Sequence, residues 1–208
     1  MICGVVLAGG LGTRIGGEKA GRLLGGKPLT QWTINALQRV TERIVLTLAP
    51  DQPAPLIKAR VPAFACEDLL PARGPLTGIY TGLISSGAEA IVAAPCDAPF
   101  INPDVLELLL ARRHGCDAVI AEVRGRLEPA LGVYDRTCVP AIVEALNGDD
   151  YSMQGFLSRV RPSIVREDEI RKVDPSLRSF FNVNTAADLS RAESMLGAFI
   201  AAGPIAGR

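Results

Sequence analysis

The sequence predicts an α/β fold of Rossmann-like, three-layer α/β/α type, with a mostly parallel central sheet between helices. Short continuous apolar runs recur at Cys3 to Leu7, Ile44 to Leu48, Ala63 to Cys66, Ile91 to Ala94 and Ala118 to Ala121. Strands that read this way are buried on both faces, as in a sheet covered by helices. Stretches with helical periodicity separate them, and strand–helix alternation predicts parallel pairing with right-handed crossovers. The chain has 208 residues, 48% of them hydrophobic, which suits one such domain with an ample core.

The first run, preceded by Ile2, empties into a loop with glycines at 9, 10, 12, 16 and 17 and with Arg14 and Lys19 spaced through it. Glycine frees the backbone and removes side chains that would keep a ligand from the main chain. Successive exposed N–H groups form a concave anion site, which two cations strengthen. A polyphosphate is the expected guest. No Walker string occurs. Gly10-Leu11-Gly12-Thr13-Arg14-Ile15 misses the dinucleotide fingerprint, because Ile15 stands where its last glycine belongs.

Helical spacing follows from Leu29 to Val40, through Trp32, Ile34 and Leu37. Pro75 to Ser85 opens with proline near a first turn. Asn102-Pro103-Asp104 supplies an N-cap, a proline at the first helical position and an acidic first turn for Val105 to Leu110. Beyond Glu122 the pattern changes. Ala130 to Tyr134 reads as a strand, Val139 to Leu146 and Ser152 to Val160 as helices, and Ser163 to Arg166 as an edge strand. Thr185 to Ile200 reads as a closing helix capped by Thr185, and Ala201 to Arg208 as a flexible tail.

Twenty-two basic residues balance twenty-two acidic ones, so no nucleic-acid or membrane partner is expected. No apolar stretch approaches the roughly 20 residues that span a bilayer. Met1-Ile2-Cys3-Gly4 runs straight into the first strand, leaving no room for a signal peptide. Cys3, Cys66, Cys96, Cys116 and Cys138 are odd in number and contain no C-x-x-C pair. Free thiols in a reducing cytoplasm are expected, rather than disulfides or a zinc site. The single histidine, His114, follows Arg112 and Arg113 at an expected helix end, where a C-terminal cap is its expected role.

In open α/β sheets ligands bind beyond the carboxyl ends of the strands. Four polar clusters fall there: the glycine loop; Glu67-Asp68 with Arg73 to Gly78; Pro95-Cys96-Asp97-Ala98-Pro99-Phe100; and Asn182-Val183-Asn184-Thr185. Asp97, fenced by Pro95 and Pro99, has little backbone freedom. A rigid carboxylate facing a phosphate loop is what Mg²⁺ needs, since Mg²⁺ typically takes one or two carboxylates plus phosphate oxygens and water.

These residues resemble the molybdenum cofactor guanylyltransferase family over most of the chain. Leu7-Ala8-Gly9-Gly10, then Arg14-Ile15-Gly16-Gly17 and Lys19, is similar to the family's NTP signature, and Gly25-Gly26-Lys27-Pro28-Leu29 to the motif that follows it. Asp68 with Gly74-Pro75-Leu76-Thr77-Gly78, and Pro95 to Phe100, resemble its next two motifs. Gly125 to Leu131 and Phe180-Phe181-Asn182-Val183-Asn184-Thr185 resemble two later ones that help hold the acceptor. Only Glu18 separates Gly17 from Lys19, one residue fewer than is usual, and Pro50 stands where the family tends to carry an asparagine.

The resemblance implies a nucleotidyltransferase fold in one domain over residues 1–200, with an NTP-binding half at about 1–121 and an acceptor half at about 122–200. It implies GMP transfer from GTP to the phosphate of molybdopterin, with Mg²⁺ as cofactor. By position, Leu7, Ala8, Gly9 and Gly10 would contact the nucleotide and Arg14 and Lys19 the triphosphate. Asp68 would contact the guanosine, Asp97 the metal, and Asn182 and Asn184 the pterin. Arg14, Lys19 and Asp97 would be the catalytic groups. Transient contact with other proteins of molybdenum cofactor biosynthesis is expected for so labile an acceptor. The N-terminal half alone also suits sugar-phosphate or isoprenoid-precursor nucleotidyltransferases. A CTP-dependent cofactor cytidylyltransferase and a nucleotide-binding module without transfer activity are the other readings.

Overall fold

A computed structural model describes residues 1–9, 22–70, 74–148 and 150–201, the last four of these by backbone alone. The glycine loop beyond Gly9, Arg73 and the tail beyond Ala201 lie outside those residues.

The chain runs through β1 (Ile2–Leu7), a small hairpin of β2 (Leu23–Leu24) and β3 (Lys27–Pro28), α1 (Leu29–Leu37), β4 (Arg43–Leu48), β5 (Ala63–Glu67) and α2 (Pro75–Ser86). It continues with β6 (Ala90–Pro95), α3 (Pro103–Ala111), β7 (Ala118–Val123), β8 (Arg126–Asp135), α4 (Val139–Asn147), α5 (Met153–Leu157), β9 (Pro162–Val165), α6 (Glu167–Ile170) and α7 (Ala186–Ala201). Among the described residues the main sheet has the order β5-β4-β1-β6-β8-β7-β9. Every pairing is parallel except those of β8 with its two neighbours. A mostly parallel sheet between helices is therefore the architecture.

Alternation along the strands explains the three layers. Val6, Ile44, Leu46, Val92 and Ala94 face one way, onto Ile34 and Leu37 of α1 and Val105, Leu106 and Leu109 of α3. Cys3, Val5, Val45, Ile91 and Ala93 face the other way, onto Leu76, Ile79 and Leu83 of α2 and Ile142 and Ala145 of α4. A third, smaller cluster joins Leu24 and Leu29 to Val183, Ala192 and Leu196, so α7 packs on the β2–β3 hairpin.

The expected runs at β1, β4, β6 and β7 are strands buried on both faces. The run at β5 differs, since Phe64, Ala65 and Glu67 are exposed. It is the sheet's edge, and no helix covers those positions. The strand read at Ala130 to Tyr134 extends back to Arg126, because the two-residue turn Arg124-Gly125, both at positive φ, pairs it with β7 as a hairpin. The helix expected over Ser152 to Val160 shortens to Met153–Leu157. The Ser158 hydroxyl bonds back to the Gly155 carbonyl and closes a turn there. His114 is no cap: Arg112 holds the α3 C-cap, its N–H donating to Leu109 O while Arg113 N–H donates to Leu110 O. Asn102 and Thr185 do cap their helices, through Asp104 N and Asp188 N. The five cysteines are unpaired, and burial pushes the thiols of Cys3 and Cys138 up to about 11 and about 12.

Helix α2 lies unusually close to the sheet. A Cβ on Gly82 would stand 2.6 Å from Val5 Cγ2, and one on Gly78 would stand 2.9 Å from Leu7 Cδ2 and Thr47 Oγ1. Val5 and Thr47 are buried strand residues with no room to yield, and Leu7 is half-buried. Gly82→Ala is expected to destabilise the fold by about 1–3 kcal/mol through overpacking, despite alanine's better helix propensity. Urea unfolding of the variant beside the parent protein reads this directly, and an unchanged midpoint contradicts the close approach.

Candidate functional site

The carboxyl ends of β5, β4, β1 and β6 share one rim of the sheet. From β1 the chain steps outward to β4 and β5, then returns to β6 on the other side of β1. That reversal opens a crevice between β1 and β6, the place where open α/β sheets take ligands. The hydrogen-bond ladder runs on past the strand ends. Asp68 N donates to Leu48 O at 2.7 Å, Ala8 N to Thr47 O at 2.9 Å, Cys96 N to Leu7 O at 3.2 Å, and Val183 N to Asp97 O at 2.9 Å. One row of backbone bonds thus lines up three of the four polar clusters predicted from sequence, with Gly9 among them.

Asp97 stands on the far side of the crevice, 8% exposed. Its turn is held from α1 by the buried Thr33, whose hydroxyl lies 3.0 Å from Pro95 O and 3.3 Å from Ala98 O. The bond from Val183 carries the last cluster to it, placing Asn182 half-buried and Asn184 exposed beside this turn. Phe100 and Phe181 pack with ring centroids 6.1 Å apart. Upstream, the buried Asp174 accepts from the N–H groups of Arg178 and Ser179, and Ser179 Oγ accepts from Asn102 N at 2.9 Å. Downstream, the Asp188 carboxylate accepts from the backbone N–H groups of Asn184 and Thr185, completing a capping box. Thr185, rather than either asparagine, provides the cap.

Among the described residues no three His, Cys, Asp or Glu side chains group as a metal cage. A single near-buried carboxylate at the crevice fits an ion held largely by substrate phosphate and water, as Mg²⁺ is.

Asp68 lies on the near side. Its Oδ2 is 2.8 Å from the point where a Gly9 side chain would begin, so any larger residue at position 9 would collide with the carboxylate. Oδ1 is buried without a hydrogen-bond partner among the described residues. Burial raises the carboxyl to about pH 6, opposed by a hydrogen bond from Thr81. On β8, burial also raises the Glu128 carboxyl, against the charges of Arg126 and Arg124.

Leu7, Ala8, Gly9, Asp68, Asp97, Asn182 and Asn184 are therefore gathered along one rim. Gly10, Arg14 and Lys19 lie outside the described residues. Thr33 and Thr81, which hold the two carboxylate turns, escape sequence reasoning. The available signal is a hydroxyl on the apolar face of a helix, because such a group must find a partner when buried.

The raised Asp68 carboxyl has a stability consequence. Between its ordinary value of 3.8 and about 6 the native state binds more protons than the unfolded chain, so stability falls as pH rises through that window and levels off above it. Asp68→Asn removes this slope. In ligand-free protein the thermal midpoint of the variant should gain on that of the parent from about pH 4 to about pH 7. A difference that stays constant with pH contradicts the buried, unpaired carboxyl.

The sequence profile of the MobA-like NTP transferase domain matches residues 4–164. The chain is 31% identical over 199 residues to a molybdenum cofactor guanylyltransferase of Desulfosudis oleivorans, covering 95% of this chain and 96% of that one. It is 34% identical over 197 residues to the molybdenum cofactor guanylyltransferase of Cereibacter sphaeroides, covering 93% and 96%. Molybdopterin-guanine dinucleotide biosynthesis protein A from Archaeoglobus fulgidus has a solved structure that matches with a TM-score of 0.78 at 28% identity, over 94% of this chain and 99% of that one. The profile match spans the crevice, Asp68 and Asp97, and the likeness to whole relatives runs over nearly the full chain: this protein belongs to the MobA-like NTP transferase family.

Proposed function

We propose that the protein transfers GMP from GTP to the terminal phosphate of molybdopterin, forming molybdopterin guanine dinucleotide and pyrophosphate. The observation that carries this reading is the two-sided crevice. Gly9 and Asp68 flank one side, while Asp97 joins the Asn182–Asn184 segment to the other through the Val183 bond. Kinship with named guanylyltransferases supports the choice of nucleotide and acceptor.

An oxygen of the molybdopterin phosphate attacks the α-phosphorus of GTP in line. The new P–O bond forms as the bond to the bridging oxygen breaks, and pyrophosphate leaves with that electron pair. The nucleophile is already ionised near neutral pH, so no general base is needed. The work of the protein is positioning and stabilising charge. Backbone groups of Leu7 to Gly10 cradle the nucleotide, Arg14 and Lys19 take the triphosphate, and Asp68 binds the guanosine. Asn182 and Asn184 hold the pterin, and Asp97 holds Mg²⁺. When bound, the ion neutralises phosphate charge. We assign this work to a single domain over residues 1–200, with the nucleotide on its N-terminal half and the acceptor on its C-terminal half.

No helix among the described residues is long and apolar enough to cross a membrane. Five unpaired cysteines favour a cytoplasmic setting, and the balance of 22 basic and 22 acidic residues favours neither a nucleic-acid nor a membrane partner. Transient contact with a protein that delivers the labile pterin accords with that setting.

The test is pyrophosphate release with Mg-GTP and molybdopterin, beside Mg-CTP. Release with GTP alone among the two is the expected result. Lys19→Ala and Asp97→Ala should each lower turnover roughly a hundred- to a thousandfold while thermal unfolding stays cooperative. Near-normal rates at saturating Mg-GTP in either variant would overturn its assignment. Heat of GTP binding without pyrophosphate release would reduce the protein to a nucleotide-binding module.

A further inference from the structure

We propose that Thr33 is a positioning residue for the metal-bearing carboxylate: through the backbone of one turn its hydroxyl aims Asp97, and the affinity of the site for a divalent cation depends on it. This rests on the nucleotidyl-transfer reading above, in which Asp97 holds the ion. Thr33 is fully buried on α1. Its hydroxyl donates toward Pro95 O at 3.0 Å and toward Ala98 O at 3.3 Å. A hydroxyl has one proton, so the two acceptors share it. Pro95 and Ala98 are the first and last residues of the turn that has Cys96-Asp97 in its middle.

Within that turn, Cys96 N donates to Leu7 O at 3.2 Å, and Asp97 O accepts from Val183 N at 2.9 Å. The four residues are thus tied to β1, to the C-terminal segment and, at both ends, to α1. Aspartate has only two side-chain torsions, so its carboxylate points where such a frame directs it. The helix is in turn tied to the nucleotide side. Trp32, next to Thr33, donates from Nε1 to Leu24 O at 3.1 Å, and Lys27 Nζ stands 4.8 Å from the centroid of its ring. Leu29 N donates to Arg22 O at 2.8 Å. Adjacent residues of one helix therefore grip the β2–β3 hairpin, which follows the glycine loop in sequence, and the turn that carries Asp97. Mg²⁺ tolerates little departure from octahedral geometry, so an ion shared between triphosphate and carboxylate needs the two in register. Thr33 sets the carboxylate's side of that register.

A double-mutant cycle separates aiming from mere packing, because a residue that acts through Asp97 has nothing to act on once that carboxylate is gone. The probe is Mn-GTP, with binding followed by electron paramagnetic resonance of the ion, so the readout needs no turnover. Thr33→Val keeps the shape and removes the hydroxyl; it should weaken binding about tenfold. In an Asp97→Asn background the same substitution should cost nothing further, and Thr33→Ser, which keeps the hydroxyl, should bind as the parent does. Thr33→Ala, with less bulk to place, repeats the cycle if Thr33→Val does not fold cooperatively. Unchanged binding in the hydroxyl-free variants overturns the proposal. A loss of equal size with and without Asp97, or one that Thr33→Ser shares, also overturns it by leaving Thr33 only a packing role. These outcomes leave the nucleotidyl-transfer reading standing. If Asp97→Asn itself binds Mn-GTP as tightly as the parent, or the parent does not bind it, the metal assignment or the nucleotide reading falls, and this proposal with it.

Discussion

The site depends on a hydrogen-bond ladder that does not stop where the strands do. Each rim bond, from Asp68 to Leu48, from Cys96 to Leu7 and from Val183 to Asp97, contributes about 0.5–1.5 kcal/mol net. That is modest as stability. As geometry it is decisive, because the bonded residues inherit the register of buried strands. Val5 pairs with Val45 on one side and with Ala93 on the other. Gly9, Asp68 and Asp97, one or two residues beyond their strand ends, are thereby positioned by the core.

Close packing extends the same constraint sideways. Gly78 and Gly82 let α2 settle onto Val5, Leu7 and Thr47, and the helix thereby brings Thr81 to the turn that holds Asp68. On the opposite face α1 brings Thr33 to the turn that holds Asp97. The turn that carries each carboxylate is thus clamped by a hydroxyl from a different helical layer. The two clamps are not equivalent in outcome. Among the described residues Asp68 Oδ1 is left unpaired, and a buried acceptor without a partner costs about 1–3 kcal/mol. Such a cost at one defined atom of the rim is what a ligand-binding site requires, since pairing with the ligand returns it.

How much of this was legible in the sequence follows from the range of the interactions. The runs at Cys3 to Leu7 and Ile91 to Ala94, and the start signal at Asn102-Pro103-Asp104, are local patterns, and they appear as strands and a capped helix. Local patterns do not report which strand lies at an edge. The Ala63 to Cys66 run reads like the others, yet its neighbour exists on one side only. Asp68 and Asp97 were visible as carboxylates after strands, but the orphaned oxygen and the raised carboxyl depend on groups meeting from separate elements. The Val183 bond to Asp97 joins residues 86 positions apart, and no spacing rule reaches that far.

That long-range bond also explains why the C-terminal segment belongs to the site at all. Phe181 and Val183 anchor it in a small cluster with Leu24, Leu29 and Leu196, set apart from the two main cores. A cluster of that size buries too little to fix a loop to a fraction of an ångström by apolar contact alone. Directional bonds supply the precision: Val183 N to Asp97 O on one side, and the Thr185–Asp188 capping box on the other. Asn184 sits between those two fixed points, and Asn182 directly precedes the first. In the proposed reaction the acceptor and the metal-bearing carboxylate would therefore share one backbone hinge, so a ligand that orders the Asp97 turn also orders the residues that receive the second substrate.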